Sequence, residues 1–252
     1  IKIIIGLTSL MLGYRIIAVI FASVFYAISF MVVDERIDAQ ETNLQQLKSI
    51  THHNVEKKVY FSTLFWLAFI WSVIGSIYGL GIMAQSGNFV SEISNNSMMV
   101  SLLAGIVSLS NGIGRFSFGK AFDKLGINTC VIIESALFLS ATLLLYIALR
   151  SGSIVILLIS FILIGFAFGA PPTISAAYTH GRFGETNYSF NLSLMMFSGV
   201  IGALMGPIIV GKIYDVFGSY YPIIIVLCAL SLAQLVIGLV WVKTDDARNT
   251  LG

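Results

Sequence analysis

Apolar runs of about 20 residues follow one another along the chain, and short polar stretches separate them. A helix needs about 20 apolar residues to cross the hydrocarbon core of a bilayer. The runs lack the apolar–polar alternation of β-barrel strands, so they predict membrane-spanning helices. Seven full spans are predicted, at residues 14–33, 60–84, 97–118, 128–149, 153–179, 188–210 and 220–242.

The composition also indicates an all-α membrane protein. Hydrophobic residues make up 57% of the chain and charged residues only 10%, whereas a soluble domain carries about 25% charged residues. A chain so poor in charge cannot cover a water-facing surface. The net charge of +2 is too small to indicate a nucleic-acid partner, and we expect none.

A polar, proline-free stretch at 34–58 divides the chain, and we interpret it as a cytoplasmic linker. The opening segment IKIIIGLTSLMLGY lacks an initiator Met and has the composition of the end of a further helix. We therefore expect an N-terminal bundle that is largely missing from this sequence. The predicted domains are the end of that bundle (1–33, a partial helix plus one full span), the linker (34–58), a six-helix bundle (59–243) and a cytoplasmic tail (244–252).

The distribution of basic residues predicts the orientation of the spans, because Lys and Arg gather in cytoplasmic loops. If 34–58 is cytoplasmic, alternation places 119–126, 180–187 and the C-terminus on the same side. These four regions hold nine Lys and Arg residues, and the loops of the opposite side hold three. We therefore expect a multi-pass protein of the cell membrane with a cytoplasmic C-terminus.

One polar phrase occurs twice, as GKAFDKLG at 119–126 and as GKIYDVFG at 211–218. Three predicted spans separate the copies, and an odd number of crossings puts them on opposite faces of the membrane. The chain thus contains two three-helix units of inverted topology, roughly 60–149 and 153–242. Inverted repeats of this kind build secondary transporters.

Each copy of the phrase predicts a polar latch at a turn between spans. Glycine permits unusual backbone angles there, and aspartate can accept hydrogen bonds from the free amides of a helix start. An ordinary charged turn is the simpler alternative. The candidate latch residues are Gly119, Asp123 and Gly126 in the first copy, and Gly211, Asp215 and Gly218 in the second.

Two passages resemble a known family. NGIGRFSFGKAFDKLG at 111–126 resembles the degenerate loop motif of the major facilitator superfamily, in the C-terminal half of that fold. The passage AAYTHGRFGETNYSFNLSLMMFSGVIGALMGPIIVGKIYDVFGSYYP, at 176–222, is similar to the oxalate/formate antiporter family and its monocarboxylate-transporter relatives. The resemblance implies a C-terminal six-helix bundle of the major facilitator fold, preceded by one and a half helices of the N-terminal half. It also implies antiport or symport of a small organic anion.

Arg115 is the first candidate for a substrate-binding residue, because a charge in a membrane span needs a functional or structural reason. Asn111 lies one helical turn earlier on the same face, so the two side chains could offer a forked cation and an amide to a carboxylate. An arginine whose charge snorkels to the headgroups is the alternative. The family resemblance implies the first role, since an arginine at this place is taken to bind the substrate carboxylate.

One departure from the family pattern narrows the choice of substrate. The oxalate transporters carry a lysine in the eleventh helix, and that place falls at or near Gly199 in this chain. No cation occurs in NLSLMMFSGVIGALMG, so a dicarboxylate would lack its second positive partner. We therefore expect a monocarboxylate such as formate, lactate or pyruvate rather than oxalate.

Other candidates are less specific. Glu134 could bind a proton for symport or pair with Arg115, although a structural ion pair with Lys120 or Lys124 is the simpler expectation. Tyr78 and Phe168 could line a substrate cavity, with a place in the helix-packing core as the alternative. The resemblance places Phe168 in the tenth helix, where aromatic residues border the substrate.

The remaining sequence features concern helix packing and the lack of motifs for catalysis, cofactors or metals. Pro171 and Pro172 interrupt the fifth of the seven predicted spans, at 153–179, and permit that helix to bend. Small residues at four-residue spacing favour close helix packing; they are Gly165, Gly169, Gly202 and Gly206. No catalytic constellation, cofactor motif or metal-ligand spacing occurs, so we expect no enzyme, no cofactor and no metal.

Two functional alternatives remain open from the sequence. The protein could be a facilitator of neutral or cationic small molecules, with Arg115 as a structural residue. It could also be a non-transporting fragment or an assembly subunit. The expected partners of a transporter are the organic anion, the lipid bilayer and the N-terminal bundle of the same protein.

Overall fold

The computed structural model describes residues 62–93, 97–184 and 188–249, together with Val19, Ser23 and Tyr26. The chain separates into two compact units, 1–56 and 57–252, and nearly all described residues belong to the second. The predicted span at 14–33 lies outside the described residues except at three helical positions, and the predicted linker at 34–58 lies wholly outside them.

The described part of the second unit is all-helical. Its helices are α1 (Thr63–Ala84), α2 (Ser86–Ile93), α3 (Ser97–Ser151), α4 (Ile154–Phe168), α5 (Ala170–Phe183), α6 (Tyr188–Phe217) and α7 (Tyr221–Asn249). No strand occurs within the described ranges. Continuous helix is what apolar segments require in a membrane, because each backbone amide and carbonyl must find its partner inside the segment.

Helix α3 contains two of the predicted spans. It runs for 55 residues and breaks at Gly126, whose φ of 74° and ψ of 175° are not helical. With this break counted, residues 62–249 contain the six predicted crossings from residue 60 onward. Five helical stretches, one of them all of α3 from Met98, are long and apolar enough to cross a membrane.

The helix of the 153–179 span has an irregular hydrogen-bond pattern just before the prolines, at Gly169, whose φ of −62° and ψ of −26° remain helical. Helix α4 ends at Phe168, and α5 begins at Ala170 with the prolines in its first turn. Proline is tolerated there because the first amides of a helix have no intrahelical partner. The two helices together form one stretch long enough to cross the membrane, from Ile154 to Phe183.

Helix α7 extends farther than predicted. The 59–243 boundary placed residues from 244 onward in a tail, but α7 continues to Asn249. The cause is tertiary: the buried Asp245 carboxylate accepts a hydrogen bond of 2.8 Å from the Tyr178 hydroxyl. It also pairs with Arg182 Nε at 3.3 Å. These contacts fasten the end of α7 to α5.

The two three-helix units pack against each other through matching glycines. Gly114 in α3 lies against the carbonyl of Phe166 in α4, and a Cβ at Gly114 would collide with it. Gly206 lies 92 residues later, in α6, and a Cβ there would come within 2.7 Å of the Ile77 carbonyl oxygen in α1. Gly114 and Gly206 are thus separated by the same 92 residues as the two polar phrases, and both lie at a close contact between helices. Small residues let membrane helices approach closely in this way.

Candidate functional site

Arg115 and Asn111 form a hydrogen-bonded pair on α3. The Nε of Arg115 donates to Oδ1 of Asn111 at 3.0 Å, across one turn of the helix. Arg115 is exposed among the described residues, and Asn111 is half-buried. The Nδ2 of Asn111 is buried and finds no hydrogen-bond partner within the described ranges. The pair therefore combines a guanidinium with an amide donor that lacks an acceptor.

A polar stripe leads along α3 to this pair. It consists of Ser101, Ser108, Asn111 and Arg115, which share one helical face by their spacing. A second exposed stripe lies beside it and is apolar, at Leu109, Ile113 and Phe116. Because a bilayer accepts apolar but not polar surface, the two stripes require different surroundings. The polar stripe suits water or a protein partner, and the apolar one suits lipid.

Tyr78 and Phe168 lie elsewhere, in the hydrophobic core between the helices. Tyr78 is 0% exposed, and its hydroxyl is hydrogen-bonded to Thr142 Oγ1 at 2.7 Å and to the Phe138 carbonyl at 3.0 Å. Phe168 is 7% exposed and its ring lies against Gly79. Within the described bundle both side chains pack in the core and the Tyr78 hydroxyl already has its partners, which favours the packing alternative. A role in lining a substrate cavity stays a prediction for these two residues.

Glu134 is fully buried in the second half of α3, and its partner is an amide rather than a cation. Gln234 Nε2 in α7 donates to Glu134 Oε1 at 2.7 Å, and Ser135 Oγ lies 3.4 Å from Glu134 Oε2. Within the described residues the carboxyl makes no ion pair with Arg115, Lys120 or Lys124. The expected ion pair is therefore wrong for this structure, because Gln234 occupies the position of the partner.

The six latch residues form three equivalent pairs. The glycines that close the two phrases adopt left-handed backbone angles, with φ of 74° at Gly126 and 62° at Gly218. Only glycine reaches such angles without strain, which explains why both copies end on it. Asp123 and Asp215 are exposed, and no hydrogen bond of their side chains lies within the described residues.

The other two latch glycines sit at helix contacts. A Cβ at Gly119 would lie 3.4 Å from Thr173 Cγ2, and one at Gly211 would lie 3.6 Å from Gln85 Nε2. Both distances are ordinary van der Waals contacts, so these positions hold the spacing between helices only weakly.

Comparison with known families decides the class of the protein. The family model described as Major Facilitator Superfamily matches residues 60–251, which is most of the chain. The chain belongs to the major facilitator superfamily. No curated protein matches it. Membership makes it an integral, multi-pass membrane transport protein, in agreement with the six crossings.

In this superfamily member, the sequence interpretation missed two polar residues with tertiary partners, Gln234 and Asp245. Gln234 stands in the apolar run 220–242, and an amide inside a membrane span was a signal that it needs a partner. Asp245 gave no such signal, because it lies in the hydrophilic end of the chain. Ser72 Oγ of α1 and Ser198 Oγ of α6 share a hydrogen bond of 2.9 Å, which is a further polar contact between the two three-helix units.

Two open hollows lie at the ends of the transporter's helices. One, of about 330 Å³, is lined by Phe116, Ser117, Lys120, Ala121, Lys124 and Leu125. The other, of about 270 Å³, is lined by Asn88, Ser91, Glu92, Tyr214 and Tyr220. Arg115 lines neither hollow.

Metal-ligand geometry is absent from residues 62–93, 97–184 and 188–249, where no group of three or more His, Cys, Asp and Glu side chains could hold an ion. His180 is the one described histidine; it lies near the end of α5 and packs edge-on against the Tyr188 ring.

Proposed function

We propose that this protein carries small organic anions across the membrane by secondary transport, with Arg115 holding the carboxylate and Asn111 assisting. A monocarboxylate such as formate, lactate or pyruvate is the proposed substrate. The anion would bind between the described bundle and an N-terminal bundle, and the two bundles would rock to expose it on alternate sides. The described bundle would have its C-terminus in the cytoplasm of the cell.

The paired geometry of Arg115 and Asn111 carries this proposal. The hydrogen bond from Nε to Asn111 Oδ1 leaves both terminal nitrogens of the guanidinium for a ligand. An unpaired buried donor such as Asn111 Nδ2 costs about 1–3 kcal/mol, which an acceptor oxygen would remove. A carboxylate supplies two acceptor oxygens and one negative charge, and the planar guanidinium binds carboxylate in a bidentate way.

The polar stripe supports the same conclusion. Ser101 and Ser108 extend the polar surface along α3 from the cation, as a path for a hydrated anion requires. An arginine that only snorkels would need no such surface beside it, because its charge would leave the span at the headgroups. The absence of any cation in 188–210 supports a single carboxylate over oxalate.

Substitution of Arg115 by lysine tests the proposal, because lysine keeps the charge and loses the fork. Uptake of labelled formate, lactate and pyruvate is measured in proteoliposomes that contain the full-length protein. Loss of a charge-assisted hydrogen bond costs about 1.5–3 kcal/mol, so Arg115→Lys is expected to lower uptake about 10- to 100-fold.

Arg150→Lys is the matched control, since Arg150 is exposed at the end of α3, and we expect it to transport normally. Oxalate, a neutral sugar and an organic cation are tested as competitors. Unimpaired monocarboxylate uptake by Arg115→Lys contradicts the assigned role. Competition by the neutral or cationic compound alone points to a facilitator of that class.

A further inference from the structure

The structure contains a buried carboxyl that the proposed anion site does not use. Glu134 is 0% exposed, and it lies inside a membrane span with Gln234 as its closest hydrogen-bonding partner. A carboxylate in such a place is costly without a cation, and within the described residues none is paired with it. A carboxyl placed there at this cost needs a structural or functional reason.

The partner's chemistry suggests the reason. A lysine or arginine would stabilise only the charged form of Glu134. An amide carries both a donor and an acceptor, so Gln234 can donate from Nε2 to a carboxylate and accept at Oε1 from a carboxylic acid after the amide turns over. The present arrangement uses Nε2 and leaves Oε1 buried without a partner among the described residues. Gln234 can therefore form a hydrogen bond with Glu134 in both its charged and its protonated form.

The pair also lies at a junction of helices. Gln234 Nε2 is 3.4 Å from the Trp71 carbonyl of α1, and it lies against Gly75 on the same helix. Pro171 Cγ borders Gly75 as well, so the pair adjoins the break between α4 and α5. A bend at that break would change the surroundings of Gln234, and with them the hydrogen bond that it offers to Glu134.

Few other titratable groups face the carboxyl. Tyr78 of α1 lies close enough to interact electrostatically with Glu134, and the Cys228 thiol of α7 lies near the same tyrosine. On α3 the buried Cys130 thiol precedes Glu134 by one turn. On α5, Pro171 borders Gly75 beside Gln234, and its side chain does not titrate. Within the described residues, Glu134 is the carboxyl of this cluster, and the titratable groups named around it are a phenol and two thiols.

We propose that Glu134 is the proton-binding residue of a proton-coupled transport cycle, with Gln234 as the hydrogen-bond partner of both its states. One proton from water on one side of the membrane would bind to the carboxylate. The same proton would be released to the other side after the break between α4 and α5 bends. This inference rests on the proposed function for its substrate, and it assigns the coupling ion and the residue that carries it.

Replacement of Glu134 by glutamine tests the coupling. Glutamine keeps the size and a hydrogen bond to Gln234 but cannot release a proton. In proteoliposomes of the full-length protein with a trapped pH dye, pyruvate added outside is expected to acidify the lumen with the wild type and not with Glu134→Gln. Exchange of labelled for unlabelled pyruvate at equal pH needs no net proton movement and should persist in the variant.

Glu92→Gln is the matched control, because Glu92 is exposed outside the spans and should acidify the lumen like the wild type. Substrate-driven acidification by Glu134→Gln at the wild-type rate would overturn the proposal. Loss of exchange together with acidification, in a variant that unfolds at the wild-type temperature, would overturn it too, since Glu134 would then serve the anion site directly.

A second measurement does not depend on the substrate. Infrared spectra of the purified protein are recorded over a pH series in H₂O and D₂O. A carboxylic-acid C=O band that titrates, and that is missing in Glu134→Gln but present in Glu92→Gln, is the expected result. Identical bands in wild type and Glu134→Gln would overturn proton binding. Failure of pyruvate transport with the expected band would refute only the proposed substrate.

Discussion

At the residue scale, the function of each polar side chain in a span follows from the partner that it finds. Arg115 finds an amide beside it and remains exposed, whereas the Tyr78 hydroxyl finds two hydrogen-bonding partners and is buried in the core. A side chain whose hydrogen bonds are all made has nothing to offer to a ligand. Existing hydrogen bonds, rather than residue type, thus distinguish a candidate binding residue such as Arg115 from a core residue such as Tyr78.

Tyr78→Phe tests whether Tyr78 serves the core rather than the binding site. The phenylalanine keeps the ring contact with Phe138 and loses the hydroxyl, while Thr142 Oγ1 keeps its own bond of 2.8 Å to the Phe138 carbonyl. We expect the free energy of unfolding to fall by about 0.5–1.5 kcal/mol, the net worth of a buried hydrogen bond, with the KM of uptake unchanged. Thermal unfolding in detergent and initial uptake rates measure the two effects. A raised KM at an unchanged unfolding temperature would return Tyr78 to the binding site.

At the element scale, close helix crossings join the two three-helix units. The crossing of α3 with α4 and the crossing of α6 with α1 both place a glycine against a carbonyl of the other helix. A methyl group at such a place must push the helices apart, and the packed neighbours resist that movement.

Gly114→Ala and Gly112→Ala form a matched pair on α3. A Cβ at Gly114 collides with the Phe166 backbone, whereas one at Gly112 meets no described atom within 4 Å. Overpacking costs about 1–3 kcal/mol, so Gly114→Ala should unfold at a lower temperature. Gly112→Ala should not, since alanine is favoured over glycine by about 1 kcal/mol inside a helix. Equal unfolding temperatures for the two variants would contradict the crossing described here.

The sequence predicted the positions of the helices better than it predicted which side of each helix faces the core. Span lengths follow from the apolar runs, and the break at Gly126 follows from the repeated phrase that ends there. The pairing of Arg115 with Asn111 is local, one helical turn, and was therefore predictable. The burial of Tyr78 was not, because a span that is apolar on all sides carries no stripe to show which side faces the core. The contact of Glu134 with Gln234, 100 residues away, depends on how whole helices pack.

At the scale of the complete bundle, we expect the two three-helix units to have opposite orientations in the membrane. Three crossings separate Gly126 from Gly218, which occupy equivalent places in the two copies of the phrase. The distribution of Lys and Arg favours a cytoplasmic first copy, but packing within the described bundle does not depend on which side of the membrane is the cytoplasm.

Cysteine labelling tests the inverted topology. Lys124→Cys and Val216→Cys place a thiol near the end of each phrase, at exposed positions, in a background without Cys130 and Cys228. A membrane-impermeant maleimide added to intact cells should label Val216→Cys, and Lys124→Cys should react only after the membrane is permeabilised. Labelling of both thiols from one side would contradict the inverted repeat.

We propose that the face of α3 that carries Arg115 meets water and binds a carboxylate. Ser108→Cys and Leu109→Cys compare it with the neighbouring apolar face, since both positions are exposed and adjacent in sequence. The rate of alkylation by a water-soluble maleimide is measured in proteoliposomes of the full-length protein, with and without pyruvate. We predict that Ser108→Cys reacts, that pyruvate slows the reaction, and that Leu109→Cys does not react. An unreactive Ser108→Cys, or one that reacts equally fast with pyruvate, formate or lactate present, would contradict the account.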